Sequence, residues 1–172
     1  MVPVDKQKSD RILSEVQKRE GRMEKVEIEE EKIEIVIFSL VEAYYAFYGD
    51  DVKEILPYEK ITYVPGSPEP IYGIINVRGD IESVVNIHKL MNLPEAPYAR
   101  NTRIVIAAKN GIRSGILVDS VEDVLVVLPS TINPPISTID KSIKSVVIGE
   151  TTYRNKSVTI FDIGKIFQKI IP

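Results

Sequence analysis

The sequence predicts a mostly β protein in which two related subdomains follow a short charged tail. From Ile33 onward, short segments rich in valine, isoleucine and tyrosine alternate with glycine, proline and aspartate, the pattern typical of strands and turns. Parts of this region repeat along the chain. Several short strands with frequent turns favour a barrel or a sandwich over a parallel sheet. With 44% hydrophobic residues, the chain can bury a core of useful size.

Residues 1–32 form a charged tail that is predicted to be partly helical. They carry both charge signs and no aromatic residue, and Ser9 is a candidate N-cap for a helix running from Asp10 toward Glu20. Aliphatic residues recur there at near-heptad spacing: Ile12, Val16, Met23 and Val26. Two interpretations stay open, a helix that binds a partner and a solvated tail.

The strands are predicted between residues 33 and 171. The candidate strands are Glu34–Leu40, Tyr44–Tyr48, Ile61–Val64, Ile74–Val77, Ile81–Asn86, Arg103–Lys109, Ser114–Val118, Val121–Leu128, Lys144–Gly149 and Lys156–Phe161. Proline-containing segments separate several of them. The last segment, Ile163–Ile171, has apolar residues at helical spacing and is predicted to be a C-terminal helix.

An internal repeat relates the two halves of this region. The matches are Ile35–Ile37 with Ile104–Ile106 and Val52–Leu56 with Val121–Leu125 at an offset of 69 positions, and Gly73 with Gly149 and Arg78 with Arg154 at an offset of 76. We therefore predict two β subdomains, at about 33–100 and 101–171, and allow for exchange of a strand or helix between them. Each is small for an independent core, so the two should pack together and leave a groove where they meet.

The composition argues against several classes of site. The chain has no cysteine, which excludes disulfides and thiolate metal sites. Its net charge of −3 gives no electrostatic case for binding nucleic acid or an anionic membrane. The N-terminus lacks the apolar core of a signal peptide, and no apolar run approaches the roughly 20 residues of a membrane span. We expect a cytoplasmic protein that does not insert into a membrane.

No residue pattern predicts catalysis, a cofactor or a metal. The single histidine, His88, should lie at the start of a short helix after a strand, and alone it cannot supply the usual zinc ligands. Neither phosphate-binding glycine motif is present, and Gly111–Gly115 lacks the spacing of a nucleophile turn. Asp119 and Asp123 are more simply surface acids than a glycosidase pair. We predict a protein that is not an enzyme.

Arg78 stands at a predicted turn between two strands, in the tripeptide Arg78-Gly79-Asp80. It could be a catalytic residue, an anion ligand, part of an adhesion tripeptide, or a docking or structural arginine. Gly79 and Asp80 suit the turn itself, and adhesion would require export. Because an arginine can pair with a carboxylate through two hydrogen bonds, we favour a residue that braces the loop or contacts a partner.

Three motifs resemble those of CheW-like chemotaxis coupling proteins. They are Gly73–Gly79 followed by Val84–Ile87 for the family's G-x-x-N-x-R-G…P-V-x-x-L signature, Gly115–Val124 for its G-I-x-V-D-x-V-x-x-V segment, and Val52–Ile55 for its V-x-E-I element. They occur in the family's order and near its spacing, and the similarity extends from about Glu34 to Ile171. Ser83 replaces the usual proline and Asn86 the usual aspartate of the first signature.

The resemblance implies two SH3-like five-stranded β-barrels packed side by side, with a C-terminal helix. Family members are non-enzymatic adaptors that link the cytoplasmic tips of chemoreceptors to the histidine kinase CheA, whose regulatory domain shares the fold. The receptor tip packs into an apolar groove between the barrels, and the kinase docks on a barrel face. Carried over by motif, the candidate partner-binding residues are Val52, Glu54, Ile55, Gly73, Arg78, Gly115, Val121 and Val124.

The resemblance also implies a role for most of these residues. Four aliphatic side chains would supply apolar contact: Val52, Ile55, Val121 and Val124. Gly73 and Gly115 would allow close backbone approach, and Arg78 would be a directional donor. Two other functions stay open. A CheW-like regulatory module could dock a different signalling or motility partner, recruited through the N-terminal helix, and a small β-barrel enzyme would need a pocket that gathers His88 with carboxylates.

Overall fold

The computed structural model describes residues 9–18, 30–95 and 97–171. The chain divides into two compact units, Met1–Glu31 and Lys32–Pro172. In the first unit, residues 9–18 form helix α1, whose aliphatic side chains Ile12, Leu13 and Val16 are exposed. The predicted continuation of this helix toward Glu20, Met23 and Val26 lies outside the described residues. None of the described helices is long and apolar enough to cross a bilayer.

The second unit is dominated by strands, which confirms the predicted mostly β class. Its elements in chain order are β1 (Ile33–Leu40), β2 (Ala43–Tyr48), β3 (Val52–Pro57), β4 (Ile71–Val77), β5 (Asp80–Asn86), α2 (Ile87–Leu90), β6 (Arg103–Lys109), β7 (Ile112–Val118), β8 (Ser120–Val127), α3 (Lys141–Lys144), β9 (Val147–Tyr153), β10 (Lys156–Phe161) and α4 (Ile163–Ile170). Short 3₁₀ turns at Gly49–Asp51 and Pro129–Thr131 lie between strands.

The predicted secondary structure differs from the observed structure in three places. Strand β3 was not predicted, because Lys53 and Glu54 interrupt its apolar pattern, although its side chains alternate between half-buried and exposed. The predicted strand Ile61–Val64 is reduced to one bridge, between Thr62 and Ile74. The first residue of the predicted strand Lys144–Gly149 is instead the last residue of helix α3. Asp140 caps this helix by accepting a hydrogen bond from the Ser142 N–H.

The strands form two five-stranded sheets with the same internal order. Sheet 1 has the order β8-β1-β2-β10-β9, and sheet 2 has the order β3-β6-β7-β5-β4. The repeat offsets match β1–β5 with β6–β10. Exchanging each strand for its match converts the strand order of one sheet into that of the other. Each sheet therefore combines the first hairpin of one repeat with the last three strands of the other. The β1–β2 hairpin completes the sheet of β8, β9 and β10, and β6–β7 completes the sheet of β3, β4 and β5.

The apolar interior of the second unit contains three clusters, one of which joins the two sheets. Sheet 1 encloses one cluster and sheet 2 another, with members such as Ile37 and Ile160 in the first and Ile75 and Ile106 in the second. The third, here called the shared core, takes buried residues from both sheets and from α4: Phe38, Phe47, Val85, Val105, Ile116, Phe161, Ile166 and Phe167 are among them. A single apolar interior thus joins the two sheets, as the small size of each repeat predicts.

Helix α4 closes the shared core at the end of the chain. Its buried side chains recur at the predicted helical spacing, at Ile163, Ile166, Phe167 and Ile170. Asp162 caps its first turn by accepting a hydrogen bond from the Lys165 N–H at 3.1 Å.

Candidate functional site

The candidate aliphatic residues lie on β3 and β8, the edge strands of the two sheets. Val52 and Val121 are half-buried and pack against the shared core. Further along the same strands, Ile55 is 37% exposed and Val124 is 47% exposed. The structure thus separates these four residues into two pairs, one that supports the core and one that is open to solvent.

Register places the exposed pair on the faces that carry the shared core. Ile55 pairs with Val105, a shared-core residue of β6. Val124 pairs with Val36 of β1. Phe38, a shared-core residue, lies two positions after Val36 and therefore points to the same face of the sheet. Because directly paired residues of antiparallel strands point to the same face, Ile55 and Val124 extend the shared core outward onto accessible surface.

The exposed row on β8 is longer than the sequence analysis indicated. Val126 and Leu128 are also exposed and follow Val124 at two-residue intervals. In the sequence, residues 124–128 are an unbroken aliphatic run, so no period of two identified the row, and only the sheet shows which side chains face solvent. An exposed apolar row along an edge strand is a typical contact surface for another protein.

Arg78 pairs with Glu54, another of the candidate residues. The Arg78 guanidinium donates from Nη2 to Glu54 Oε1 and from Nη1 to Oε2, the latter at 3.3 Å. Arg78 belongs to the β4–β5 turn and Glu54 to β3, so this pair joins the two edge strands of sheet 2. The Arg78 side chain remains 78% exposed while it makes this contact. It braces the open side of the sheet and still presents donors to solvent.

Sheet 1 has a comparable contact between its own edge strands. The Tyr153 hydroxyl on β9 donates to Asp123 Oδ2 on β8 at 3.0 Å, and the Arg154 guanidinium lies 4.9 Å from the centre of the Tyr153 ring. Burial first, and then this hydrogen bond, raise the pKa of Tyr153, so the phenol stays a donor. Residues 54 and 123 match in the repeat, and so do 78 and 154. Equivalent positions therefore join the edge strands in both sheets, through an ion pair in sheet 2 and through a tyrosine–aspartate hydrogen bond in sheet 1.

The two candidate glycines are buried. A Cβ at Gly73 would overlap the carbonyl oxygen of Thr62, whose segment crosses the edge of β4 at that point. A Cβ at Gly115 would lie 2.9 Å from Ile104 Cγ2. At both positions the close approach is therefore between parts of this chain, to backbone at Gly73 and to a side chain at Gly115.

His88 is buried at the end of β5, in α2. Its Nε2 lies 2.9 Å from Asp119 Oδ1, and the side chain is 6% exposed. The other oxygen of Asp119 accepts a hydrogen bond from the Val41 N–H. Within residues 9–18, 30–95 and 97–171, no three histidine, aspartate or glutamate side chains are grouped as metal ligands would be.

Comparison with known proteins identifies the family. The model of the CheW-like domain matches residues 34–170, almost all of the second unit. The chain belongs to the CheW-like domain family. This confirms the family indicated by the three motifs, and the matched region covers both sheets and α4.

Known relatives of this CheW-like domain are chemotaxis proteins. A chemotaxis protein CheW of Bacillus subtilis is 31% identical over 135 residues, which are 78% of this chain and 86% of the relative. One of Treponema pallidum is 26% identical over 144 residues, 81% of this chain and 85% of the relative. The crystal structure of the scaffolding protein TtCheW from Thermoanaerobacter tengcongensis superposes with a TM-score of 0.70 at 32% identity, covering 77% of this chain and 86% of that one.

Proposed function

We propose that this protein is a non-enzymatic scaffold that couples chemoreceptors to a CheA-type histidine kinase in chemotaxis signalling. The family is one of chemotaxis scaffolds, and relatives over most of this chain are chemotaxis proteins CheW. The observation that carries the proposal is the extension of the shared core onto the surface at Ile55 and Val124. A scaffold needs such a contact surface, and it needs no reacting group.

In this proposal the cytoplasmic tip of the receptor, a helical hairpin, packs on the exposed aliphatic residues of β3 and β8. Val52 and Val121 support them from the shared core, and the Arg78–Glu54 pair fixes the edge of sheet 2 beside them. Gly73 and Gly115 shape the site by permitting close approach within the chain. The regulatory domain of the kinase, which shares this fold, docks on a face of one sheet. Both partners place the protein in the cytoplasm.

Substitution of the two exposed aliphatic residues tests the site. Ile55→Asp and Val124→Asp each place a charge where the partner's apolar side chains would pack. Burial of half an aliphatic side chain contributes about 1 kcal/mol, and an unpaired buried charge costs more, so we expect at least a tenfold loss of affinity. Calorimetric titration against a receptor-tip fragment measures this loss, and titration against the kinase regulatory domain shows whether the kinase shares the surface.

Ile81→Asp is the matched control, because Ile81 is 63% exposed on β5 and is not a candidate residue. It introduces the same charge and should leave both affinities unchanged. If neither partner binds the unaltered protein at low salt, the proposed function is wrong. If the control weakens binding as strongly as Ile55→Asp and Val124→Asp, the assignment of the surface is wrong.

A second candidate function is a CheW-like regulatory module that docks a different signalling or motility partner. The observation in its favour is helix α1, whose exposed Ile12, Leu13 and Val16 form an apolar face. We expect deletion of residues 1–30 to abolish capture of such a partner and to leave binding of the receptor tip and the kinase unaltered. If every partner is still captured after the deletion, the second candidate function is wrong and only the first remains.

A further inference from the structure

The turn between β1 and β2 has an unusual backbone conformation. It consists of Val41 and Glu42, with φ angles of 50° and 65°. Two-residue hairpin turns that match the strand twist require positive φ at both central residues, and they are usually built with glycine or asparagine. A β-branched residue in the left-handed region is a genuine outlier. The sequence at this turn disfavours the conformation that the hairpin requires.

The other three hairpins in the described part of the chain show how such a turn is usually built. They are closed by Arg78–Gly79, Asn110–Gly111 and Arg154–Asn155, all with positive φ. Each has glycine or asparagine at its second position, which the left-handed region accommodates readily. In the repeat, residues 41 and 42 match Asn110 and Gly111. The β1–β2 turn thus has the geometry of its counterpart without the residues that favour it.

Hydrogen bonds from another part of the chain stabilise the left-handed backbone that the residues of this turn do not favour. The Val41 N–H donates to Asp119 Oδ2 at 2.8 Å, and the Asp119 N–H donates to the Ser39 carbonyl oxygen at 3.2 Å. Asp119 Oδ1 lies 2.9 Å from Nε2 of the buried His88. These two atoms are at ion-pair distance without the alignment of a hydrogen bond. Each oxygen of one carboxylate therefore faces a different element.

We propose that Asp119 is a positioning residue that holds the β1–β2 turn in its left-handed conformation, and that His88 holds Asp119 in place. Strained backbone persists only where its surroundings determine it, and Asp119 is in direct contact with the strained residue. His88 lies in α2, which follows β5 of sheet 2, whereas the turn belongs to sheet 1. The brace thus makes the conformation of an exposed turn on one sheet dependent on the placement of a helix on the other.

Nuclear magnetic resonance of the full chain tests the brace. In Asp119→Ala, we expect hydrogen exchange at the Val41 amide to be at least tenfold faster, and the backbone shifts of Val41 and Glu42 to leave the left-handed values. When Val41→Asn and Glu42→Gly are added, the shifts at 41 and 42 should return to left-handed values, because these residues need no brace. Unaltered exchange and shifts in Asp119→Ala would overturn the proposal.

The role of His88 has its own test. In His88→Leu, exchange at Val41 should rise severalfold, by less than in Asp119→Ala. Asp119→Asn keeps an oxygen for the Val41 N–H but loses the charge, so His88→Leu should have no further effect in that background. An unchanged Val41 exchange rate in His88→Leu would remove His88 from the brace.

Two controls separate a local effect from general loosening. Glu34→Ala removes an exposed carboxylate from β1, the strand that leads into the turn, and should leave Val41 exchange unaltered. The amides of Asn110 and Gly111, in the equivalent turn of sheet 2, should keep their exchange rates in every variant. If they accelerate as much as Val41 does, the substitutions loosen the whole fold and the proposal fails.

Discussion

Gly73 and Gly149 mark the same crossing in the two sheets, and replacing either by alanine should be strongly destabilising. At Gly73 the added methyl would overlap the Thr62 carbonyl oxygen and lie 2.8 Å from Ile61 Cγ2. At Gly149 it would lie 2.5 Å from the Asn133 carbonyl oxygen. Since two non-bonded heavy atoms do not approach this closely, the crossing segment must move away. At both positions the obstacle is another segment of the same chain.

The expected loss follows from the contacts that such a movement breaks. Thr62 and Ile74 exchange two backbone hydrogen bonds of 2.9 Å each, and Asn133 and Glu150 exchange two of 2.8 Å each. Overpacking costs about 1–3 kcal/mol, and each lost hydrogen bond adds about 1 kcal/mol. Each substitution should therefore lower the free energy of unfolding by about 3–5 kcal/mol.

Urea unfolding measures this loss, and Gly111→Ala is the control. Gly111 has a φ of 78° and open space around it, so alanine there should cost only the backbone strain, about 1–2 kcal/mol. Hydrogen exchange at the amides of Ile74 and Glu150 reports on the broken contacts directly. The reasoning is refuted if Gly73→Ala costs no more than Gly111→Ala, or if the Ile74 amide keeps its full protection.

Three further changes have defined outcomes. Arg78→Ala should stay folded, and thermal unfolding should show a loss of less than about 1 kcal/mol in the free energy of unfolding, because the Arg78–Glu54 pair is largely exposed. Its affinity for a partner, measured by calorimetry, should fall. A stability loss above about 3 kcal/mol with unchanged affinity would make the arginine purely structural. Burial raises the pKa of Glu150, so the native state holds this proton more tightly than the unfolded chain does, and the free energy of unfolding falls as pH rises through that pKa. Glu150→Gln should therefore stabilise the protein near pH 7 and lose that advantage near pH 3, as measured by urea unfolding; an equal gain at both values contradicts this. Phe167→Ala removes a buried ring of α4 from the shared core and should cost about 3–5 kcal/mol in the same assay, whereas a loss below about 1 kcal/mol would show that α4 does not support that core.

Arg78 illustrates how far the candidate site could be predicted. Its motif indicated an arginine at a turn that braces a loop or contacts a partner, and Glu54 was a candidate through a separate motif. Their pairing could not be predicted, because they are 24 positions apart and meet only where β3 and the β4–β5 turn close sheet 2. Local sequence reports which side chains can form an ion pair, whereas the fold decides which of them come within reach.

The brace at Val41 shows the opposite case, in which sequence patterns gave no indication. Val41 and Glu42 separate two predicted strands, and neither residue favours a tight turn. Asp119 and His88 are 78 and 47 positions from Val41 in the sequence. The backbone there follows from strand twist and from Asp119, both of which arise only when the sheets assemble.

The sequence alone determined the strand-rich class, the repeat, the C-terminal helix and the family, because alternation, helical spacing and motif order are properties of short segments. Only the tertiary structure decided which hairpin completes which sheet. The apolar patterns of β5 and β10 are alike, as are those of β1 and β6, so pairing rules permit either arrangement. In the observed arrangement, in which the repeats exchange hairpins, Phe38, Phe47 and Phe161 pack with α4 in one shared core.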